Sequence, residues 1–354
     1  MHLDGKRVLV TGGTGSLGQT VVRRLLTGEM GRPAKIVVFS RDEAKQHYMR
    51  LSYLHKEAAT DEVIYSNFQE LLSFRIGDVR DYSSVLQAVR DAEVVIHAAA
   101  LKQVPSCEYF PFEAVQTNII GAQNLVRAVR ENETAVRTVV GVSTDKACKP
   151  INVMGMTKAL MERILVEANF DFPRTRWVCV RYGNVIASRG SVVPLFIDQI
   201  AHGGPVTITT RDMTRFLLSL DQAVDTVFAA VREAQPGETY VPKVPAAKIV
   251  DVAEALIDGR GIEMIVTGIR PGEKVHEILI SEEECHRTIE RGDYYAITPM
   301  LTELRPARLE NRPFTTEYSS QNVTLDRAAL AALLAPFLVD RPLVARQGER
   351  RFSA

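Results

Sequence analysis

Short runs of apolar, largely β-branched residues alternate with longer segments of helical periodicity through the first half of the chain. Such runs are typical of buried parallel strands, and the longer segments are typical of the helices that join them. The predicted strands are Arg7–Thr11, Lys35–Phe39, Ser73–Ile76, Glu93–Ala98, Val136–Val142 and Trp177–Arg181. The predicted helices are Ser16–Leu26, 81–90, Phe112–Glu131, one that ends near Asn169, and a helix with a loop within Gln46–Gln69. This alternation predicts an α/β fold, with a doubly wound parallel sheet covered by helices on both faces.

A glycine-rich segment, T-G-G-T-G-S-L-G, follows the first predicted strand at once. Its glycines have the spacing G-x-x-G-x-x-G. The first allows a tight turn, the second lets the backbone approach a pyrophosphate, and the third lets helix and strand pack closely. The N-terminus of the next helix would then point at the phosphates. The expected dinucleotide-binding residues in this segment are Gly12, Thr14, Gly15, Ser16, Leu17 and Gly18.

Ser40 and Arg41 follow the second predicted strand directly, and Lys45 lies one turn farther along. An acidic residue at the strand end favours NAD, because it binds the ribose 2′-hydroxyl, whereas a guanidinium suits the 2′-phosphate of NADP. Asp42 comes only after these residues and is also explained as a charge near the start of a helix. The order of residues therefore favours NADP over NAD as the cofactor.

Two later strand ends supply further candidate cofactor contacts. Asp78 follows the third strand, where it is expected either to meet an adenine amino group or to cap the helix 81–90. The fourth strand ends in small residues, which let a ligand lie against the backbone. The candidates at these two ends are Asp78, Val79, Ala98, Ala99 and Ala100. Lys102 and Cys107 follow in a loop and are candidates to face the same site, although such a cysteine is more often a buried apolar residue.

The regular alternation of strands and helices stops in the second half of the chain. Short strands at 206–209 and 216–219 and helices at 221–233, 248–257 and Asp326–Leu338 are predicted there. We expect a Rossmann-like NADP-binding domain over residues 1–180 and a smaller C-terminal α/β substrate-binding domain over 181–340. Part of 219–245 is expected to pack back on the first domain, and the charged residues 341–354 are expected to form a disordered tail.

The segment S-T-D-K-A-C-K-P-I-N-V-M-G-M-T-K, residues 143–158, lies just past the carboxyl end of the fifth strand, where open α/β sheets bind ligands. Thr144, Asp145, Lys146 and Lys158 can hold or move protons. Lys158 shares a helical face with Met154, four residues earlier. This spacing resembles the Tyr-x-x-x-Lys signature of the short-chain dehydrogenase/reductase superfamily, with methionine in the tyrosine position. Since methionine has no ionisable proton, either the reaction proceeds without that phenol or the protein is not a working oxidoreductase.

Composition narrows the class of protein further. The 354 residues include 43 basic and 43 acidic side chains, so charge gives no reason to expect nucleic acid or an anionic membrane as a partner. We find no secretory signal at the start and no apolar run long enough to span a bilayer. The four cysteines form no C-x-x-C pair, which argues against a zinc site or a disulfide framework. We therefore expect a cytoplasmic protein without a bound metal.

Motifs that carry a family resemblance occur along the chain in this order: T-G-G-T-G-S-L-G, S-R-D-E-A-K-Q, A-A-A-L-K-Q-V-P, T-N-I-I-G, S-T-D-K-A, R-Y-G-N-V, M-T-R-F and R-P-G-E-K. Together they resemble the UDP-N-acetylglucosamine 4,6-dehydratases of the extended short-chain dehydrogenase/reductase superfamily, over nearly all of residues 5–325. The segments V-M-G-M-T-K and S-C-E-Y-F-P are similar to the capsule and O-antigen branch that inverts C5, in which methionine replaces tyrosine. The resemblance implies tightly bound NADP, a UDP-sugar substrate and a homo-oligomer, either a dimer or a hexamer.

Several polar residues of the second half are candidates to hold such a substrate. Three arginines, Arg211, Arg215 and Arg270, border predicted loops, where guanidinium groups suit a diphosphate. The residues expected to bind the UDP-sugar are Lys102, Asn184, Arg189, Arg215, Arg270 and Glu273.

The implied reaction moves a hydride from C4 of the sugar to NADP⁺, eliminates water across C5 and C6, and returns the hydride to C6. The 4-ketone acidifies the C5 hydrogen, whereas the leaving 6-hydroxyl needs an acid. We assign Lys146 as the C5 base and Asp145 as the acid. Positive charge on Lys158 and Lys149 is expected to depress the pKa of Lys146 enough for it to lose its proton near neutral pH. Lys158 is also expected to hold the nicotinamide ribose.

Other functions remain open at this point. A C5 epimerase acting on an already dehydrated UDP-4-keto-6-deoxy sugar would use the acid and base without any hydride transfer. A redox-inactive NADP-binding regulator would account for Met154, but it needs neither Asp145 nor Lys146. These two residues would alternatively form an ion pair that only caps the strand end. For inversion at C5, the candidate donors on the opposite face are Cys107 and Lys102.

Overall fold

The computed structural model describes residues 2–54, 68, 70–131, 135–171, 173–186, 191–305 and 313–339. Its strands are β1 Arg7–Thr11, β2 Lys35–Ser40, β3 Leu72–Ile76, β4 Val94–His97, β5 Thr138–Val142, β6 Arg176–Val180, β7 Asn184–Val185, β8 Val206–Ile208, β9 Thr214–Leu218, β10 Thr239–Pro242, β11 Ala246–Lys248, β12 Met264–Val266, β13 Ile278–Ile280, β14 Thr288–Arg291, β15 Tyr294–Ile297 and β16 Tyr318–Ser319.

The helices run between and after these strands. They are Ser16–Leu26, Glu43–Leu54, Tyr82–Val89, Val104–Tyr109, Pro111–Ala114, Gly121–Glu131, Val153–Asp171, Val192–Ala201, Leu220–Glu233, Ile249–Ile257, Glu282–Cys285 and Arg327–Val339. A π-helical segment, Val115–Ile120, interrupts the predicted helix Phe112–Glu131, and a 3-10 turn spans Asp145–Ala147.

In the described part of the chain, nine strands form the main sheet, in the order β14-β15-β10-β6-β5-β4-β1-β2-β3. The strands from β3 to β10 in this order are parallel, and β15 pairs antiparallel with both β10 and β14. The order reverses between β1 and β4, which opens a ligand crevice at their carboxyl ends. The predicted α/β fold with a doubly wound, mostly parallel sheet is therefore confirmed.

The predicted strands of the first half are present in the structure, with small changes in their bounds. They could be predicted because both faces of the sheet are covered. Val8 and Val10 pack into the core on one face, and Leu9 packs into the core on the other. All three side chains are at most 1% exposed. A strand buried on both faces has no polar side to maintain, so it appears in the sequence as a continuous apolar run.

The second half of the chain was predicted less completely. Strands β10, β14 and β15 extend the main sheet, and the helix Leu220–Glu233 packs against β5 and β6. The remaining strands form small sheets, β11-β9-β7, β12-β8 and β13-β16. Helices such as Val192–Ala201 and Ile249–Ile257 surround a third core beside them. This is the smaller α/β part of the fold.

Several sequence predictions fall outside the residues that the structure describes. They include residues 55–67 of the predicted segment Gln46–Gln69, the tail 341–354, and Arg189 among the candidate substrate contacts. Within the described ranges, no helix is both long and apolar enough to cross a membrane.

Candidate active site

A cavity of about 530 Å³ opens at the carboxyl ends of β1, β2, β4 and β5. It brings together most of the candidate cofactor and catalytic residues. The sequence candidates that line it are Gly12, Thr14, Gly15, Ser16, Leu17, Gly18, Ser40, Arg41, Lys45, Val79, Ala98, Ala99, Ala100, Lys102, Thr144, Lys146, Met154 and Lys158. The lining residues that the sequence did not indicate include Phe39, Asp42, Gly77, Leu101, Thr117, Val142, Ser143, Tyr182, Gly183, Val185 and Leu220.

The glycine loop forms one wall of this cavity, and its shape depends on the absence of side chains. Gly12 has a φ of +66°, and a Cβ atom there would lie 2.7 Å from the backbone nitrogen of Ala99. A Cβ atom on Gly18 would lie 2.5 Å from the Cα atom of Gly13, so the helix could not pack so closely on the loop. The helix Ser16–Leu26 has no side-chain cap at its start. Its first backbone N–H groups are therefore available to an anion in the cavity.

Two buried hydroxyl groups in the cavity wall have no hydrogen-bond partner among the residues that the structure describes. They are Oγ1 of Thr117, within the π-helical segment, and Oγ of Ser143, just after β5. A buried polar group without a partner costs about 1–3 kcal/mol, and a bound ligand can supply the missing hydrogen bond. Together with the glycine loop, these groups fit a dinucleotide that extends from β1 toward β5.

The ribose end of the cavity carries the predicted basic residues. The guanidinium of Arg41 is half exposed and lies 3.7 Å from a carboxylate oxygen of Asp78. Asp42 accepts a hydrogen bond from the backbone nitrogen of Lys45 at 2.9 Å and pairs with its ammonium at 2.7 Å. This carboxylate therefore serves the start of the helix Glu43–Leu54, whereas Arg41 lines the cavity beside Asp78.

Asp78 does not line the cavity in the structure. Its carboxylate accepts hydrogen bonds from the backbone nitrogen and the Nε atom of Arg80, each at 2.9 Å. The alternative prediction, that Asp78 caps the next helix, is wrong. Asp81 is the cap, because its carboxylate accepts from the backbone nitrogens of Ser83 and Ser84. Asp78 instead fixes the turn that follows β3.

The acid–base cluster lies at the end of the cavity that follows β5. Asp145 is fully buried, and its Oδ1 atom accepts hydrogen bonds from Thr144 Oγ1 at 2.9 Å and from Lys146 Nζ at 3.0 Å. Its Oδ2 atom has no partner among the described residues. Burial raises the pKa of Asp145, and the nearby carboxylate of Glu277 raises it further, against the opposing charge of Lys146. Asp145 does not line the cavity itself, whereas Thr144 and Lys146 do.

Glu277 is part of this cluster, and sequence reasoning missed it. Its side chain is 2% exposed, and its Oε1 atom lies 3.3 Å from Lys146 Nζ and 3.9 Å from Arg215 Nε. Burial acts to raise the pKa of Glu277, but the charges of Lys146, Arg215 and Lys274 outweigh it, and the pKa is lowered. The available signal was its place just after the R-P-G-E-K turn, which carries other candidate substrate contacts.

The expected depression of the Lys146 pKa is wrong. Burial acts to lower it, but the carboxylates of Asp145 and Glu277 more than offset burial, and the pKa is raised. Lys149 was expected to add positive charge near Lys146. Its backbone is left-handed, with a φ of +44°, and its ammonium pairs with Glu317 at 2.9 Å on an exposed surface. It therefore lies outside the cluster.

Lys158 also lines the cavity, and none of the carboxylates that the structure describes pairs with its ammonium at close range. Its ammonium contacts the sulfur of Met161 at 2.8 Å. Burial lowers its pKa to about 8. Met154, one turn before it on the helix Val153–Asp171, faces the same cavity and packs on Cys107. The thiol of Cys107 is fully buried and does not line the cavity, so Cys107 cannot reach a ligand there as a proton donor.

The candidate substrate contacts are divided between the cavity and its surroundings. Lys102 lines it, and Asn184 accepts a hydrogen bond from Lys146 at 3.3 Å. Arg215 is buried beside Glu277, with its NH1 atom donating to two backbone carbonyls. Arg270 is exposed on the turn that precedes Glu273. The Oε2 atom of Glu273 is buried and has no partner in the described part of the chain. The structure places neither Arg270 nor Glu273 in the cavity wall.

A model of one protein family matches residues 8–299, which is most of the chain. Its description is "Polysaccharide biosynthesis protein". The chain belongs to this family. The match begins at β1 and ends just after β15, so it includes the cavity, the acid–base cluster and the antiparallel edge of the main sheet.

Curated relatives cover the same part of the chain. A protein of Campylobacter jejuni named "UDP-N-acetylglucosamine 4,6-dehydratase (inverting)" is 44% identical over 301 residues, which is 84% of each chain. A Rickettsia canadensis protein named "UDP-glucose 4-epimerase" is also 44% identical, over 302 residues and 84% of each chain. Similarity of this degree places the chain among sugar-nucleotide dehydratases and epimerases, and the two names differ in the reaction.

Solved structures show the same architecture. Pen from Bacillus thuringiensis superposes with a TM-score of 0.83 at 32% identity, covering 94% of this chain and 98% of that one. The dTDP-glucose 4,6-dehydratase DesIV from Streptomyces venezuelae, solved with NAD and TYD bound, gives a TM-score of 0.64 at 20% identity, covering 76% and 86%. The second likeness shows the fold alone.

Proposed function

We propose that this protein is a UDP-N-acetylglucosamine 4,6-dehydratase that inverts C5 and forms a UDP-2-acetamido-2,6-dideoxy-4-hexulose for glycan synthesis. One observation carries the proposal. A dinucleotide-shaped cavity ends at a buried acid–base cluster that contains Asp145, Lys146 and Glu277. Hydride transfer alone does not require such a cluster, whereas elimination of water from a sugar requires both an acid and a base.

The proposed cofactor is NADP. The glycine loop and the helix Ser16–Leu26 would hold its pyrophosphate, and Arg41 and Lys45 would meet the 2′-phosphate. Ser143 and Thr117 would supply hydrogen bonds near the nicotinamide end, where their hydroxyls are otherwise unpartnered. When bound, the cofactor supplies the hydride acceptor and donor that an internal redox reaction on the sugar needs.

The UDP-sugar is proposed to approach from the side of the smaller α/β part. Lys102 at the cavity wall and the exposed guanidinium of Arg270 suit a diphosphate. Glu273, whose Oε2 atom is buried and unpartnered, suits a hydroxyl or amide donor of the nucleotide or sugar. We also retain Asn184, Arg189 and Arg215 as proposed substrate residues, of which Arg215 acts through Glu277.

In the proposed mechanism, Thr144 and Asp145 handle the 4-hydroxyl proton in a site without the usual phenol. Thr144 lies between the cavity and Asp145 and donates a hydrogen bond to the buried carboxylate. Its oxygen can accept the 4-hydroxyl proton while its own proton passes to Asp145, whose raised pKa favours holding it. The same two groups then return one proton to the leaving 6-hydroxyl. Met154 fills the place of the phenol as an apolar contact.

Lys146 is proposed to act at C5. It lines the cavity, and its Nζ atom is the group of the cluster that can approach the sugar directly. Lys158 is proposed to hold the ribose of the cofactor and to keep the local potential positive. Its low pKa reflects a buried ammonium that lacks a carboxylate partner, and ribose hydroxyls would provide the missing acceptors.

A sugar-nucleotide 4-epimerase is the second candidate function. It rests on the name of the Rickettsia relative and on the same cofactor cavity. Inversion at C4 requires a group that takes the 4-hydroxyl proton and a 4-ketone intermediate that rotates within the site, so that the hydride returns to its other face. It leaves Lys146 without a proton to move, so the cluster favours the dehydratase.

We further propose that the protein is cytoplasmic and forms a homo-oligomer, either a dimer or a hexamer. The four cysteines are all free, as is usual in a reducing compartment. The segment before the π-helical region carries exposed aromatic side chains, with Tyr109 82%, Phe110 63% and Phe112 66% exposed. Neighbouring exposed aromatic residues of this size suit a contact with a second copy.

The test is to incubate the protein with UDP-N-acetylglucosamine and NADP⁺ and to analyse the product by mass spectrometry. A dehydratase gives a product lighter by one water, with no accumulation of NADPH. A 4-epimerase gives an isomer of unchanged mass. If UDP-N-acetylglucosamine is inert while its 4-keto-6-deoxy derivative exchanges deuterium at C5, the C5 epimerase is the function.

A further inference from the structure

Glu277 lies in the acid–base cluster, but no assigned role accounts for it. It comes from the loop before β13, and its backbone is fixed on both sides. Its nitrogen donates to Ser320 Oγ at 3.0 Å, and its carbonyl accepts from the nitrogen of Ser320 at 2.8 Å. The carboxylate is thus held in a buried position next to Lys146, with its Oε2 atom unpartnered.

The geometry around Lys146 presents a chemical difficulty for a base. Its ammonium lies 3.0 Å from Asp145 Oδ1 and 3.3 Å from Glu277 Oε1. Two carboxylates at these distances favour the charged form of lysine, yet only the neutral amine can take a proton from carbon. The proton of Lys146 therefore needs a place to go before C5 is attacked.

We propose that Glu277 is a positioning residue that accepts the ammonium proton of Lys146 and so produces the neutral amine that acts at C5. The inference rests on the proposed dehydratase function. A charged pair is stable only while water or other charges solvate it. When a substrate covers the cavity and excludes water, the pair lowers its energy by becoming a neutral amine and a carboxylic acid.

The proton balance is complete within the cluster. One N–H bond of Lys146 breaks and an O–H bond forms on Glu277. Lys146 then takes the C5 proton, and the C5–H electrons form the C5–C6 double bond as the C6–O bond breaks. Asp145 supplies, through Thr144, the proton that leaves with the 6-hydroxyl as water. Counted with the 4-hydroxyl proton that Asp145 took up earlier, the cluster then holds one proton more than at rest. This proton is released to solvent, and C5 takes up a proton from the opposite face, as inversion requires.

Asp145 is a less suitable acceptor for the Lys146 proton than Glu277. Its Oδ1 atom already accepts from Thr144 and serves the 4- and 6-hydroxyl protons in the proposed mechanism. Glu277 does not itself line the cavity, and the charged groups that act on it are Lys146, Arg215, Lys274 and, with the opposite sign, Asp145. These positive neighbours keep Glu277 ionised in the resting state, ready to accept one proton.

The experiment compares wild type, Glu277→Gln, Glu277→Asp and the control Glu238→Gln. Glu238 is also 2% exposed and also pairs with an arginine, Arg291, but it lies away from the cavity. Exchange of the C5 hydrogen with deuterated solvent is followed from pH 6.5 to 9.5, with UDP-N-acetylglucosamine as substrate. In Glu277→Gln, the rate of exchange at pH 7 should fall about 10²-fold, which is the lower end of the rate enhancement that a positioned acid or base provides.

The pH dependence distinguishes the proposed role from a structural one. In Glu277→Gln the amine forms only by loss of its proton to solvent, so exchange should recover as the pH rises, whereas wild type should change little. Glu277→Asp should retain part of the activity at pH 7, and Glu238→Gln should match wild type. If Glu277→Gln exchanges at the wild-type rate, or if its exchange rate is reduced equally at every pH, the inference is overturned.

A second readout needs no substrate and so separates this inference from the proposed function. The pKa of Lys146 is measured by carbon NMR of its labelled Cε atom in wild type and in Glu277→Gln. Removal of the carboxylate should lower this pKa. If the lysine pKa falls but wild type does not act on UDP-N-acetylglucosamine, the dehydratase assignment fails and the pairing of Glu277 with Lys146 stands. An unchanged lysine pKa would contradict the inference itself.

Discussion

For Lys158 we predict that one substitution raises the stability of the protein and lowers its activity. Its ammonium is buried, and its contact at close range is the neutral sulfur of Met161. Its pKa is lowered from 10.5 to about 8 by burial. Lys158→Met removes the buried charge and keeps a side chain of similar length. We therefore expect the variant to be more stable than wild type at pH 7, although it should lose activity.

The magnitude follows from the pKa. One pKa unit is worth about 1.4 kcal/mol, so a drop from 10.5 to about 8 corresponds to a penalty of about 3 kcal/mol. Between these pH values the unfolded chain binds the proton and the folded chain does not, so the free energy of unfolding rises with pH. The penalty is complete below pH 8 and is lost as the pH rises toward 10.5.

The assay is urea unfolding of the cofactor-free proteins at pH 7 and pH 9.5. Lys158→Met should exceed wild type by up to about 3 kcal/mol at pH 7, and the difference should shrink at pH 9.5. Lys35→Met is the matched control, because Lys35 is exposed at the start of β2 and should change stability little. A Lys158→Met protein that is less stable than wild type at both pH values would refute the reasoning.

The remaining predictions concern the cofactor and the acid–base residues. Arg41→Ala should weaken NADP binding by about 1.5 kcal/mol, since the guanidinium is half exposed, and should barely change NAD binding. Calorimetric titration with both cofactors measures these changes. Equal losses of affinity for NADP and NAD would contradict the choice of NADP. Met154→Leu should stay within about tenfold of wild-type turnover, because no proton transfer is removed, whereas a larger loss would show that the thioether has a specific role. Lys146→Met should lower turnover by about 10²–10⁴, with cofactor binding intact, while Lys149→Met should retain it; a loss traced to unfolding would support a structural ion pair.

The sequence predicted those parts of the fold and site that depend on local pattern. The first strands could be read as apolar runs because the sheet is covered on both faces. The glycine loop could be predicted because the surrounding backbone leaves no room for a Cβ atom at Gly12 and Gly18. Such constraints act on single residues, so the sequence records them directly.

The parts that could not be predicted depend on contacts between distant segments. Glu277 reaches Lys146 from a loop far along the chain, and no local pattern marks that contact. Lys149 is close to Lys146 in sequence, but its left-handed backbone directs it to the surface. The pKa of Lys146 is raised by the carboxylates of Asp145 and Glu277, whereas Lys149 pairs with Glu317 instead. Electrostatic predictions from sequence neighbours fail where the fold brings in a distant charge or directs a neighbour elsewhere.

The central claim is that a hydride moves within one sugar while the acid–base cluster removes water across C5 and C6. UDP-N-acetylglucosamine deuterated at C4 tests it most directly. The product, analysed by NMR and mass spectrometry, should have lost one water, carry the C4 deuterium at C6, and show inverted configuration at C5. A product of unchanged mass, or a dehydrated product without deuterium at C6, would contradict the account.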